Sequence, residues 1–112
     1  MTIQYRNETF DLTTTNVTTV LTVTTSSVAI VKTVQAVHDT ASAVDTDLFI
    51  RKNGAGADVL ISHESLNKET VDMLKNTLNL EAGDVIKMQA GTANEISGIV
   101  SYALIDRSQQ NG

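Results

Sequence analysis

Among its 112 residues the chain has no cysteine, no proline and no tryptophan. Without cysteine, disulfides, thiolate metal sites and a cysteine nucleophile are excluded together. Aromatic residues make up only 4%, so a core must come from Val, Ile, Leu and Ala. The same scarcity argues against base-stacking platforms for single-stranded nucleic acid and against sugar-binding faces. Cations are few and scattered: Arg6, Lys32, Arg51, Lys52, Lys68, Lys75, Lys87 and Arg107, with a net charge of -5. Phosphate-backbone binding needs clustered Lys and Arg, so no nucleic-acid partner is expected. No apolar run is long enough for a membrane-spanning helix, and no membrane partner is expected. The opening MTIQYRNETF lacks the basic start and apolar core of a secretory signal. Asn7-Glu8-Thr9 and Asn16-Val17-Thr18 match a glycosylation acceptor, which so threonine-rich a chain produces by chance.

Val, Ile and Thr dominate what is there, and 41% of the chain is hydrophobic. These β-branched residues suit a pleated surface. TTVLTVTTSSVAIVKTVQAVH predicts two strands, Thr18 to Thr24 and Val28 to His38, around a Thr25-Ser26-Ser27 turn. Strict alternation along the second would put Val28, Ile30, Lys32, Val34, Ala36 and His38 on one face and Ala29, Val31, Thr33, Gln35 and Val37 on the other. Asp47 to Asn53 and Asp58 to Ser62 flank Asn53-Gly54, a hairpin signal. Val85 to Ala90 and Glu95 to Asp106 read as the last pair of strands, joined by Gly91-Thr92-Ala93-Asn94. In the final strand Ile96, Val100, Tyr102 and Leu104 alternate with Ser97, Ile99, Ser101, Ala103 and Ile105. The run ETVDMLKNTLNL fits a short helix starting near Asn67 as well as a strand over Thr70 to Leu74, with the strand preferred. The expected fold is all-β: a single β-sandwich or jelly-roll-like domain of about seven to eight short antiparallel strands over residues 17–107. The weakly patterned residues 1–16 are expected to form an extended N-terminal arm that orders against a neighbour, and residues 108–112 a flexible tail.

Enzymatic machinery is hard to find. His38-Asp39 and His63-Glu64 each stand at an expected strand end, and convergence of the four would make a metal site. No H-x-H or H-E-x-x-H spacing supports that, and half-exposed loop histidines are the simpler expectation. Asp39, Asp45, Asp47 and Asp58 concentrate acid in neighbouring loops, yet the spacing of a calcium loop is missing and solvated acids are expected. Neither G-x-S-x-G nor a phosphate-cradling glycine loop occurs. No catalytic, cofactor-binding or metal-ligating residue is therefore assigned, and no cofactor is expected. LNLEAGDVIKMQAG, residues 78–91, carries the acids Glu81 and Asp84, and reads as a tight turn in which Gly83 supplies backbone freedom and Asp84 bonds nearby N–H groups. Threonine-rich strands with a polar face and exposed β edges suit pairing with another chain, and a homo-oligomer is expected.

Two ordered stretches, VLTVTTSSVAIVKTVQAVHDTASAVDTDLFIRKNGAGADVLI and LNLEAGDVIKMQAGTANEISGIVSYALID, resemble small β-sandwich virion structural proteins of tailed bacteriophages, aquatic-phage type. The resemblance spans about residues 17 to 106. Members often carry Pro-Ala-Gly where this chain has Thr25-Ser26-Ser27, and an apolar strand where it has ETVDMLKN. What the resemblance implies is a non-enzymatic virion subunit, assembled in the host cytoplasm, whose partners are phage capsid or neck/tail proteins. A capsid decoration or cement protein is preferred, because the chain is one compact domain without the heptads of a fibre shaft. The alternatives are a neck, tail or fibre subunit, or a carbohydrate- or receptor-binding jelly roll.

Overall fold

The computed structural model describes residues 2–40, 42–53 and 56–106. It contains nine antiparallel strands, β1 (Thr2–Leu12), β2 (Thr18–Thr22), β3 (Ser27–His38), β4 (Val44–Arg51), β5 (Val59–Leu66), β6 (Thr70–Asp72), β7 (Leu78–Leu80), β8 (Val85–Ala90) and β9 (Ile96–Asp106). One sheet runs β1-β9-β3-β6 with β7 also on β3, and the other runs β2-β8-β4-β5. The two sheets pack together as a β-sandwich.

The ladders are nested. β4 pairs with β5, β3 with β6 and β7, β2 with β8, and β1 with β9. The first half of the chain thus meets the second in reverse order, as one long hairpin. Rolling that hairpin adds the β3–β9 and β4–β8 ladders and gives the two Greek keys of a jelly roll, with β6 and β7 as one interrupted strand. The expected sandwich is confirmed. β8 and β9, expected to pair, lie in different sheets instead, as do β2 and β3. The turn from β2 to β3 is closed by the Ser27 N–H donating to the Thr24 carbonyl at 3.1 Å. Asn94, with φ 65°, turns the chain from β8 into β9.

The segment expected as a free arm is a strand. β1 pairs with β9 over its whole length, from Thr2–Asp106 to Leu12–Ile96, and its end contributes Phe10 and Leu12 to the core. Polar patterning hid this strand because only those two side chains meet the opposite sheet. Residues 108–112, expected as a tail, lie outside the described residues.

Strict alternation also fails in β3. A bulge between Val31 and Thr33 shifts the register, so Ala29 and Val31 face the core together with Val34, Ala36 and His38. An extra residue in one strand flips the side-chain phase beyond it. The break between β6 and β7 lies opposite this bulge. The Asp72 carboxylate accepts the N–H groups of Val34 (3.2 Å) and Leu74 (3.0 Å), and Met73 and Leu74 plug the core there. The ambiguous run is therefore a short strand, a core-filling excursion and a second short strand, with no helix.

The core is aliphatic, as the composition requires, with Val34, Val100, Leu48, Leu66, Ile86 and Met88 fully buried. Gly98 stands between Phe10 and Ala36 in register. A Cβ there would lie 1.9 Å from the Gln35 carbonyl oxygen and 2.6 Å from the Phe10 ring, so the ring takes the space a side chain would occupy.

Candidate interaction surfaces

The turn inside LNLEAGDVIKMQAG is the best-built polar feature of the molecule. Asp84 is buried, its side chain 1% exposed. Its carboxylate accepts the Glu81 N–H at 2.8 Å and the Asn53 N–H at 3.2 Å, and bonds the Lys52 ammonium. Burial alone would raise this carboxyl's pKa. The Lys52 ammonium and the Glu81 and Asn53 N–H groups outweigh it and hold the group below the ordinary carboxylate value. Asp84 in turn raises the Lys52 pKa, with a smaller contribution from the Glu81 carboxylate. Gly83 has φ +84°, and its N–H donates to the Val23 carbonyl at 2.9 Å. The acid ties the end of β4 to the β7–β8 turn. Glu81 is largely exposed on the rim.

The histidines do not converge. His38, expected as a half-exposed loop residue, is buried at the end of β3. Its Nδ1 accepts the Lys68 N–H at 3.0 Å. Nε2 lies 2.7 Å from the Thr40 hydroxyl, which itself donates to Glu95 Oε1 at 2.7 Å. With its proton committed to Glu95, Thr40 accepts from Nε2–H, which assigns the tautomer. His38 thus fastens β3 to the segments preceding β6 and β9. His63 lies on β5 in the other sheet, directly opposite Asp47, and its Nδ1 contacts the Asp47 carboxylate. That hydrogen bond and charge raise the His63 pKa. Glu64 pairs with Lys75 at 3.6 Å and Asp58 with Lys87 at 3.4 Å. Among the described residues no group of three or more His, Cys, Asp or Glu side chains is placed to hold a metal.

Apolar exposure is concentrated elsewhere. Among the described residues the large hydrophobics that stay exposed are Ile3 and Tyr5 on β1, Val59, Leu60 and Ile61 on β5, and Val17 in the loop before β2. β1 and β5 are edge strands, one in each sheet; the opposite edges are β6 with β7, and β2. A sheet edge presents unpaired N–H and C=O groups, so an apolar edge is a ready docking template. Beside β5 the two sheets gape, leaving an apolar cleft of about 270 Å³ lined by Ile50, Val59, Ile61, Leu78, Asn79, Leu80 and Lys52. One wall is β7, which is only three residues long. Sequence reasoning missed this surface: Asp58 to Ser62 reads only as a strand, and the one signal is that the three consecutive apolar residues Val59, Leu60 and Ile61 cannot all face one side of it.

Comparisons with family models, with curated proteins and with solved structures found no match to this chain.

Proposed function

We propose that the protein is a non-enzymatic structural subunit that works through protein–protein contacts, and that its setting is the virion of a tailed bacteriophage, as a capsid decoration protein. The observation that carries the structural reading is the placement of exposed apolar residues. Among the described residues five of the six large ones lie on β1 and β5, one edge strand of each sheet. An apolar sheet edge next to an apolar cleft accepts an extended segment of another protein, with backbone bonds supplying affinity and the cleft accepting side chains. The virion setting rests on the sequence resemblance over residues 17 to 106 and on nothing else. Within it, capsid or neck/tail proteins supply the partner segment, and the compact single domain favours decoration.

The test is co-sedimentation of the purified protein with capsid particles assembled from a major capsid protein encoded beside it. Saturable retention is expected, and Ile61→Lys, which puts a charge into the cleft without touching the core, should weaken it about tenfold or more. Absence of retention, or retention that Ile61→Lys leaves unchanged, counts against this reading.

A further inference from the structure

The strand β1 carries a second, self-complementary surface. Its ladder with β9 is regular over all eleven residues, without a bulge, whereas β5 is kinked by one at Ile61. From Ile3 to Thr9 both faces of β1 are exposed. No described strand lies on its outer side. Proline, lysine, bulges and inward-pointing charges are the usual means of blunting such an edge, and of these TIQYRNETFDL has only the inward charges Arg6 and Glu8.

We propose that two copies of this chain pair antiparallel through β1, about a two-fold axis at Asn7, joining their first sheets into one continuous sheet. The proposal rests on the assembly reading above and specifies one contact of that assembly. Two features of the strand select the register independently. The first is length: Asn7 is the midpoint of Thr2–Leu12, so centring there overlaps the whole strand. The second is charge. Arg6 and Glu8 flank Asn7 on the inward side, in register with Tyr102 and Val100 of β9. Centring on Asn7 sets Arg6 opposite Glu8 of the second copy, twice by symmetry. Directly opposed residues of opposite charge stabilise an antiparallel pair, and like charges destabilise it. A two-fold perpendicular to the sheet keeps even positions opposite even positions, so the neighbouring choices are centres at Arg6 or Glu8. Those would oppose Arg6 to itself or Glu8 to itself. The inward charges that would repel most partner strands therefore favour this one. On the outer side Tyr5, 78% exposed and 5.4 Å beneath the Lys32 ammonium, comes opposite Thr9 of the second copy. Aromatic and β-branched residues make favourable cross-strand pairs.

The native chain lacks cysteine, so Asn7→Cys introduces a lone thiol whose Cα-to-Cα separation across the axis suits a disulfide. Under mild oxidation it should cross-link about tenfold or more faster than Asn16→Cys in the loop beyond β1. In sedimentation equilibrium of the full chain, Arg6→Glu and Glu8→Arg should each weaken the dimer about tenfold or more. An equimolar mixture of the two should restore it as a heterodimer, because every opposed pair is then complementary. Rescue by mixing separates the pairing from damage to a protomer, since a misfolded chain gains nothing from its partner. A monomer throughout the micromolar range, equal cross-linking rates for the two cysteine variants, or no rescue on mixing would overturn the proposal. Self-association without Asn7→Cys cross-linking overturns this register and leaves the assembly reading standing; cross-linking without particle binding does the reverse.

Discussion

Asp84 and Asp47 each meet one cation, Lys52 and His63 respectively, yet their surroundings make them different kinds of residue. Asp84 is buried and accepts two backbone N–H groups besides its cation. Asp47 sits on the outer face of β4, where its imidazole partner is about half exposed. An exposed ion pair is screened by solvent and contributes little. A buried carboxylate that completes a turn leaves several groups unsatisfied when it is removed. Both pairs would look alike in a tabulation of charges. Burial and backbone bonding make one a structural fastening and the other a surface contact.

The largest expected break of this contrast is Asp84→Ala. It strands the Glu81 and Asn53 N–H groups at a buried site and should cost about 3 kcal/mol, read as a lower urea midpoint with unchanged slope. Next is Gly83→Val, which puts a β-branched residue at φ +84° with its Cβ 2.5 Å from Asn53 Cγ. About 2 kcal/mol of destabilisation is expected, and a harmless Gly83→Val would show that the turn can be built another way.

The pH dependence should separate the two acids by sign. The Asp84 pKa is lowered in the folded protein, so its stabilisation is present above the ordinary carboxylate value of 3.8 and is lost as pH falls through the lowered value. His63 is raised, so its contribution is complete below 6.5 and is lost as pH rises through the raised value. Denaturation midpoints across the pH range should show an acid loss absent in Asp84→Asn. The smaller alkaline loss should vanish in Asp47→Asn and fade at high salt. Smallest of all is Glu81→Gln, which removes only a rim contact to Lys52 at 3.3 Å and should leave the midpoint unchanged. A clear effect there would mean that the exposed acid shares in the fastening.

Much of the turn was legible in the sequence, because its chemistry is local. The left-handed backbone of Gly83 is a property of the turn itself, and the Asp84–Glu81 bond spans three residues. Lys52 and Asn53 were not legible as partners, lying more than thirty residues away. The bounds of β8 and the alternation in β9 follow from period-two patterning. β3 resisted the same reasoning, since its bulge at Lys32 reverses the phase without altering composition. β1 was hidden for the opposite reason: it overhangs the second sheet, whose nearest strand, β2, has only five residues, so its inward positions are free to be Gln4, Arg6 and Glu8. As for the interaction surfaces, an apolar run such as Val59-Leu60-Ile61 has the same composition whether it is buried or exposed.

What the sequence determined by itself was the class of the fold. Dense β-branched residues, scarce aromatics and glycine-marked turns commit the chain to strands with an aliphatic core, since propensity and patterning act over a few neighbours. The tertiary structure alone decided which strands meet. The nested ladders join residues as distant as Thr2 and Asp106, and no local preference encodes a contact whose worth depends on closing the whole loop between them. Exposure was decided there too: β1 and β5 are edges only because the rolled hairpin leaves nothing beyond them, and the exposed apolar side chains lie along those edges.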